Sequence, residues 1–274
     1  MACTMMEGSG MDVQFSPFDG SLLWVASSAH FGLAGDSKLS LFKFDPASSS
    51  LLEAAKFSVP NAIFALAASE AIAGSAAVAC GDGHVRIFEV SKGVIADLAV
   101  HQKECTSISA SHLIPTLLAT GGADGRVSLL DVATRSVDVV KQGPAFVNQV
   151  VWHPRHKNLL ALAAADGEVS VLDLRAKAPA AGLREPRAVS SVDFNKFSDS
   201  LAIGTADNSI KYFDLRNTKM PLLVLQGHRY GVKKLKFSPF RDHWILSASL
   251  FSHQRHDRQA LGPQETRKVD PRLP

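Results

Sequence analysis

The chain has 274 residues, of which 46% are hydrophobic and 20% charged, with a formal net charge of +3. That balance is ordinary for a soluble globular protein, and the charge is too small to imply a nucleic-acid partner. Three scattered cysteines, Cys3, Cys80 and Cys105, suggest a reducing compartment and neither a disulfide framework nor a zinc site.

In chain order, the opening MACTMMEGSGMDVQ lacks the basic and apolar regions of a secretory signal. The next stretch, VQFSPFDGSLLWVASS (13–28), reads as a strand, a turn and a second strand. Residues 62–80 are largely Ala, Ile and Leu but contain Glu70, and are too weakly hydrophobic for a membrane span. Two buried strands and their turn are expected there.

From residue 81 a repeat becomes legible: GDGHVRIFEV (81–90), GADGRVSLLDV (122–132), AADGEVSVLDL (164–174) and TADNSIKYFDL (205–215), with a looser copy GDSKLSLFKFD (35–45) before them. The turn aspartates Asp82, Asp124, Asp166 and Asp207 recur at intervals of about 42 residues, as do the strand-ending acids Glu89, Asp131, Asp173 and Asp214. Asp-Gly or Asp-Asn between β-rich runs predicts a tight hairpin, because the second residue must adopt positive φ. Upstream of each hairpin lies another strand pair, as in VVWHPRHKNLLALAAA and LKFSPFRDHWILSAS. Four strands per period of 40–45 residues, ending in an apolar-acidic pair, resemble the blades of a WD-repeat β-propeller. The Trp of the Trp-Asp pair is replaced by Phe or Leu, and only Gly227-His228 gives the Gly-His half of the pattern, with His101 a partial match. The fold expected is all-β: about five blades plus an incomplete sixth, from a seven-bladed parent. The four turn aspartates are read as structural, bonding nearby amides.

After Leu250 the pattern stops and HQRHDRQALGPQ follows. Residues 257–264 can be encoded so that reading one nucleotide later gives Thr-Val-Lys-Leu-Trp-Asp-Pro, the end of a WD blade. The expected division is therefore a propeller over 1–250 and an aberrant tail over 251–274, out of frame or disordered.

The sequence contains no phosphate-binding loop, no G-x-S-x-G and no H-E-x-x-H. The His153/His156 and His253/His256 pairs have i,i+3 spacing, but one lies in a Pro-containing turn and the other in the tail, so neither is read as a metal site. No catalytic residue, metal or cofactor is expected; the chain reads as a binding protein and not an enzyme.

Two segments carry a more specific resemblance. VQFSPFDGSLLWVASSAHFGLAG (13–35), with His30-Phe31-Gly32-Leu33-Ala34-Gly35, and DNSIKYFDLRNTKMPLLVLQGHRYGVKKLKFSPF (207–240) resemble the peroxin-7 family of type-2 peroxisomal targeting signal receptors. The resemblance covers about residues 12–249. It implies a cytosolic receptor that shuttles to the peroxisome, to its matrix or membrane. Such a receptor binds an N-terminal targeting peptide on folded, thiolase-like cargo and works with an import co-receptor and docking proteins, without nucleic acid and without a membrane span of its own. The peptide would be a short amphipathic helix with basic, aliphatic and His positions, suited to an apolar groove with acidic residues at its rim. Candidates sit where each blade's first strand begins: Asn61, Phe64, Glu104, Phe146, Asn148 and Tyr230. Phe64 and Phe146 are alternatively core residues. The resemblance implies a carboxylate where this chain has Ala188, and a more acidic region around Asn61. A competing reading rests on Asp173-Leu174-Arg175 and Asp214-Leu215-Arg216, which resemble the W-D-x-R pattern of substrate adaptors for cullin-four ubiquitin ligases or other scaffolds.

Overall fold

The computed structural model describes residues 8–29, 36–176, 178–249 and 267–269. The His30–Gly35 motif and most of the tail, with the His253/His256 pair, lie outside the described residues. The chain divides into two compact units, Met1–Trp152 and His153–Pro274. Both are built from antiparallel meanders, each strand pairing with the next in sequence.

In the first unit, sheet one contains β1 (Ser9–Phe15), β2 (Leu22–Ser28), β3 (Ser37–Asp45) and β4 (Ser50–Val59). Sheet two contains β5 (Ile63–Ala68), β6 (Ser75–Cys80), β7 (His84–Glu89) and β8 (Gly93–Ala99). Sheet three contains β9 (Cys105–Ala110), β10 (Leu117–Gly122), β11 (Arg126–Asp131) and β12 (Ser136–Gln142), and β13 (Val147–Trp152) packs on β9. The second unit holds β14 (Leu159–Ala164), β15 (Glu168–Asp173) and β16 (Ala178–Arg184). It continues with a sheet of β17 (Val189–Phe194), β18 (Ser200–Thr205), β19 (Ser209–Asp214) and β20 (Leu223–Gln226). Its last sheet pairs β21 (Val232–Phe237), β22 (Ile245–Ser249) and β23 (Arg267–Val269). The expected strand pair within residues 62–80 is present as β5 and β6, both buried.

Burial follows strand position. β6 is buried at every residue, whereas every residue of the outer strand β12 is exposed or half-buried. Inner strands are covered by neighbouring sheets on both faces, so their residues need not alternate in polarity. Between sheets one and two the core contains Trp24, Leu39, Leu41, Ile63, Leu66, Val78 and Phe88, with Phe57 packed against it. Phe57 bridges Trp24 (centroids 6.4 Å) and Phe88 (5.3 Å). Each such fully buried large side chain contributes roughly 1.5–3 kcal/mol.

Polar side chains on the first strand of a sheet satisfy the backbone of the next sheet's first strand. Gln14 Nε2 donates to Leu66 O (2.7 Å), and Asp12 Oδ2 accepts from Leu66 N (3.1 Å). Ser107 Oγ accepts from Val150 N (3.0 Å). Ser191 Oγ accepts from Leu235 N (3.0 Å) and Asp193 Oδ2 from Phe237 N (2.8 Å). First strands would otherwise carry unpaired amides along their inner edges, so these contacts replace a ladder with side-chain acceptors.

The hairpin turns have the predicted geometry. Gly83, Gly125 and Gly167 sit at φ 83°, 78° and 86°, and Asn208 takes the same place at 71°. At Gly83 a methyl group would also meet the carbonyl oxygens of His101 and Lys103, because the next connection runs directly over the turn.

Candidate functional site

The β4–β5, β8–β9 and β12–β13 connections and the β6–β7 and β10–β11 turns are joined by backbone hydrogen bonds in the first unit. Gly81 N donates to Ala62 O (2.8 Å), His101 N to Gly83 O (3.0 Å), Ala123 N to Glu104 O (2.8 Å) and Gly143 N to Gly125 O (2.8 Å). The residue just before a first strand uses its carbonyl to hold a turn at Ala62, Glu104 and Ala188, which accept from Gly81 N, Ala123 N and Ala206 N. Across the chain that position reads Ala62, Glu104, Phe146, Ala188 and Gly231. Only Glu104 and Phe146 bring a functional group there, and both line one open groove.

The groove has a volume of about 490 Å³ and is lined by Gly81, Asp82, Gln102, Lys103, Glu104 and Phe146. Phe146 is 51% exposed, so its ring is groove wall and not core. Asn61 reaches the site through Asp82, with Nδ2 donating to Oδ2 at 2.7 Å. Phe64 is half-buried, its Cε2 3.4 Å from where a methyl group on Gly81 would stand. Asn148 is half-buried on β13, two residues past Phe146. Of the six candidates, Glu104 and Phe146 line this groove and Asn61 is bonded to its Asp82 wall, while Phe64 stands behind Gly81 and outside the lining. Tyr230 belongs to the second unit, half-buried in the β20–β21 connection, where Asn208 Nδ2 donates to the adjacent Arg229 O (3.2 Å).

The turn aspartates repeat one geometry. Each Oδ1 accepts the amide two residues on: His84 N on Asp82 (3.2 Å), Arg126 N on Asp124 (3.1 Å), Glu168 N on Asp166 (3.2 Å) and Ser209 N on Asp207 (3.2 Å). Asp124 also takes Gln102 N on Oδ2 (3.0 Å) and His101 Nδ1 on Oδ1 (3.0 Å), while His101 Nε2 meets Thr120 Oγ1 (2.9 Å). Burial lowers the pKa of His101, so the ring is neutral and its proton belongs on Nδ1, donating to Asp124. Burial raises the Asp124 carboxyl, but the Gln102 and Arg126 amides and His101 outweigh it and hold it below the usual carboxylate range. This assembly fixes the connection that carries Lys103 and Glu104.

Asp82 is a groove wall of another kind. Burial raises its pKa, but hydrogen bonds from Arg86 and the His84 amide prevail and keep it ionised. Arg86 Nη2 donates to Asp82 (2.6 Å) and its Nε to Asp97 (3.0 Å), with the guanidinium largely buried. Asp82 is thus already neutralised. Glu104 is exposed and has no ion-pair partner among the described residues, which makes it the groove's available carboxylate. Gln102, Lys103 and Arg86 were not expected at the site. The repeat gives only a partial signal for Arg86, because the same register holds a second cation at Lys211 but serines at Ser128 and Ser170. Lys211 likewise pairs with acids, Glu185 (2.5 Å) and Asp207 (3.6 Å).

Elsewhere, His153, His156 and Asp199 bring ligand-type atoms within 4.8 Å of one another. Their hydrogen bonds oppose a metal. His153 Nδ1 accepts the amides of Arg155 (3.0 Å) and His156 (3.1 Å), which leaves the neutral ring with its proton on Nε2 and no spare lone pair. Asp199 is held by Arg155 at 2.5 Å. Arg175 and Arg216 of the two Asp-Leu-Arg triplets turn back on their own aspartates. Their Nη2 atoms donate to Asp173 (2.8 Å) and Asp214 (2.7 Å), holding both carboxyls down to about 2.

Comparison with known proteins agrees with this architecture. A β-propeller family described as "Nucleolar protein 10-like, N-terminal domain" matches residues 138–253. The peroxisomal targeting signal 2 receptor of Schizosaccharomyces pombe is 26% identical over 245 residues, covering 88% of this chain and 79% of the relative. The receptor of the same name from Saccharomyces cerevisiae is 25% identical, covering 97% and 86%. Protein SPA1-RELATED 3 of Arabidopsis thaliana is 30% identical but covers 57% of this chain and 14% of its own length. The chain is a WD-repeat β-propeller protein that is similar, over most of its length, to the peroxisomal targeting signal 2 receptors.

Proposed function

We propose that the chain is a receptor for N-terminal type-2 peroxisomal targeting peptides on folded cargo, and that it delivers them for matrix import together with a co-receptor. The observation that carries this reading is the pairing of an unneutralised carboxylate, Glu104, with an exposed ring, Phe146, in one groove. An amphipathic helical peptide with basic and aliphatic positions offers the complementary pair of groups: a cation for Glu104 and an apolar face for Phe146. Asn61 and the backbone-fixed turn at Asp82 form the polar rim, Phe64 and Asn148 are further contacts in this reading, and Tyr230 is a separate candidate on the second unit. Lys103 beside Glu104, and Arg86 behind Asp82, keep the groove from being a strongly acidic trap. Charge therefore contributes to affinity through Glu104 alone, and to orientation through the balance of acids and cations around it. The names of the full-length relatives point the same way. The receptor works in the cytosol and shuttles to the peroxisome, and it binds rather than catalyses.

The test is retention of a reporter carrying a cargo N-terminal peptide by the immobilised chain with co-receptor present. The expected result is retention of the native peptide and loss when its basic and His positions become Asp. Equal retention of both, or of neither by a folded chain, overturns the reading. Weight would then move to the ubiquitin-ligase adaptor or scaffold reading; the E3 ubiquitin-protein ligase COP1 of Arabidopsis thaliana is 36% identical over 64 residues, covering 23% of this chain and 10% of the relative. That role would require Arg175 and Arg216 to leave their present partners.

A further inference from the structure

The turns between the first and second strands of the sheets share a rigid construction, and some of them present an exposed aromatic ring. In the β17–β18 turn, Asn195 Oδ1 accepts the amide of Phe197 (2.8 Å). In the β21–β22 turn, Ser238 Oγ accepts the amide of Phe240 (3.2 Å). Each ring is held out on a turn fixed by its own side-chain cap: Phe197 is 47% exposed and Phe240 87%. The two turns are also joined, because Asn195 Nδ2 donates to Asp242 O at 2.8 Å. Asn195 therefore fixes one tip with its oxygen and the neighbouring tip with its nitrogen.

Each ring has an adjacent cation, Lys196 before Phe197 and Arg241 after Phe240, both exposed. Neither has a carboxylate partner among the described residues. The Arg241 guanidinium lies 4.8 Å over the Trp244 ring. Of the nearby acids, Asp199 is paired with Arg155 (2.5 Å), and Asp242 is hydrogen-bonded to His243 Nδ1 (2.5 Å), which offsets its charge only when that ring is protonated. Phe18 sits on an equivalent turn of sheet one but is followed by Asp19, so the combination of ring and free cation is specific to the joined pair.

We propose that this pair of tips is a peripheral docking point for an anionic membrane surface. Rings on separate projecting turns can enter the boundary of a bilayer without a matching groove, and flanking Lys, Arg and Trp suit the headgroup layer. The charge is complementary to anionic lipid, and each cation near such a surface is worth roughly a fivefold gain in affinity. Two rings and two cations give weak, reversible attachment, not insertion. The proposal is independent of the peptide reading, since it concerns different residues.

The test is sedimentation of the full chain with vesicles of phosphatidylcholine alone and of phosphatidylcholine mixed with phosphatidylserine. The expected result is binding to the mixed vesicles, reduced by about 25-fold in the double variant Lys196→Gln, Arg241→Gln, and lost in Phe197→Ser, Phe240→Ser. Phe197→Trp, Phe240→Trp should retain binding, which separates loss of the rings from loss of the fold. Failure of the chain to bind mixed vesicles overturns the proposal, as does binding unchanged in the Phe→Ser variant. Soluble poly-glutamate that is bound as strongly by the Phe→Ser variant as by the wild type, without vesicle binding, would instead identify a site for acidic peptides and also overturn it.

Discussion

His153→Asn should remove one defined part of the protein's sensitivity to mild acid without loosening its turn. His153 is 3% exposed, packed on Phe194 with centroids 4.6 Å apart, and its Nδ1 caps the amides of Arg155 and His156. Burial is the main reason its pKa falls from 6.5 to about 4, with the charges of His156 and Arg155 adding to it. A depressed pKa means that the unfolded chain takes up a proton before the folded one does. The stabilising contribution is therefore complete above pH 6.5 and declines as pH falls towards 4. At pH 5 the linkage amounts to about 2 kcal/mol, from an unfolded pKa of 6.5 and a folded pKa of about 4. Asn is the matched replacement because Asn195 performs the same capping, accepting Phe197 N at 2.8 Å. Urea unfolding at pH 7.5 and pH 5 measures the effect. The variant should lose about 2 kcal/mol less than the wild type between those two values. Parallel losses in both proteins would refute the burial argument.

Asp124→Ala should cost about 2–4 kcal/mol in denaturant unfolding, since it strands the buried His101 ring nitrogen and the amides of Gln102 and Arg126. An unchanged midpoint would show that water replaces all three bonds. Gly83→Ala forces a side chain into φ 83° and against two carbonyls of the β8–β9 connection. It should cost at least about 2 kcal/mol and weaken peptide binding, whereas Gly143→Ala, whose added methyl would stand 3.7 Å from Gly125 O, should be mild. Lys103→Glu leaves the backbone untouched and turns the groove acidic; isothermal titration should show severalfold tighter binding of a basic peptide at low salt, with the gain shrinking as salt rises.

Much of the fold was legible because the repeat couples three local signals at one register. Asp82, Asp124, Asp166 and Asp207 announce the turn, the following Gly or Asn supplies positive φ, and an apolar-acidic pair closes the strand. Each signal is weak alone, and their common period makes them strong. The first strands' position also told where the connections would crowd, which is why Glu104 and Phe146 could be named before they were seen together. The groove's charge balance was not legible. Whether Asp82 is a free acid depends on Arg86, four residues along a strand but on the same side of the hairpin, and on Asp97 across the sheet. Sequence periodicity reports which face a residue takes, not which of several nearby charges it pairs with. The joined tips of Phe197 and Phe240 escaped for a related reason: their contact runs through Asn195 to a main-chain carbonyl 47 residues away, which no side-chain pattern encodes.

In the proposed receptor, Glu104 and Phe146 form a groove for a basic amphipathic peptide. The most direct measurement is the affinity of a labelled cargo N-terminal peptide for the wild-type chain, Glu104→Gln and Phe146→Ser, each with co-receptor and each checked for an unchanged unfolding midpoint. Loss of the cation's partner should weaken binding by about fivefold to tenfold, and loss of the ring by a similar factor. Binding by all three with equal affinity would place the peptide elsewhere on the protein and exclude Glu104 and Phe146 as its site.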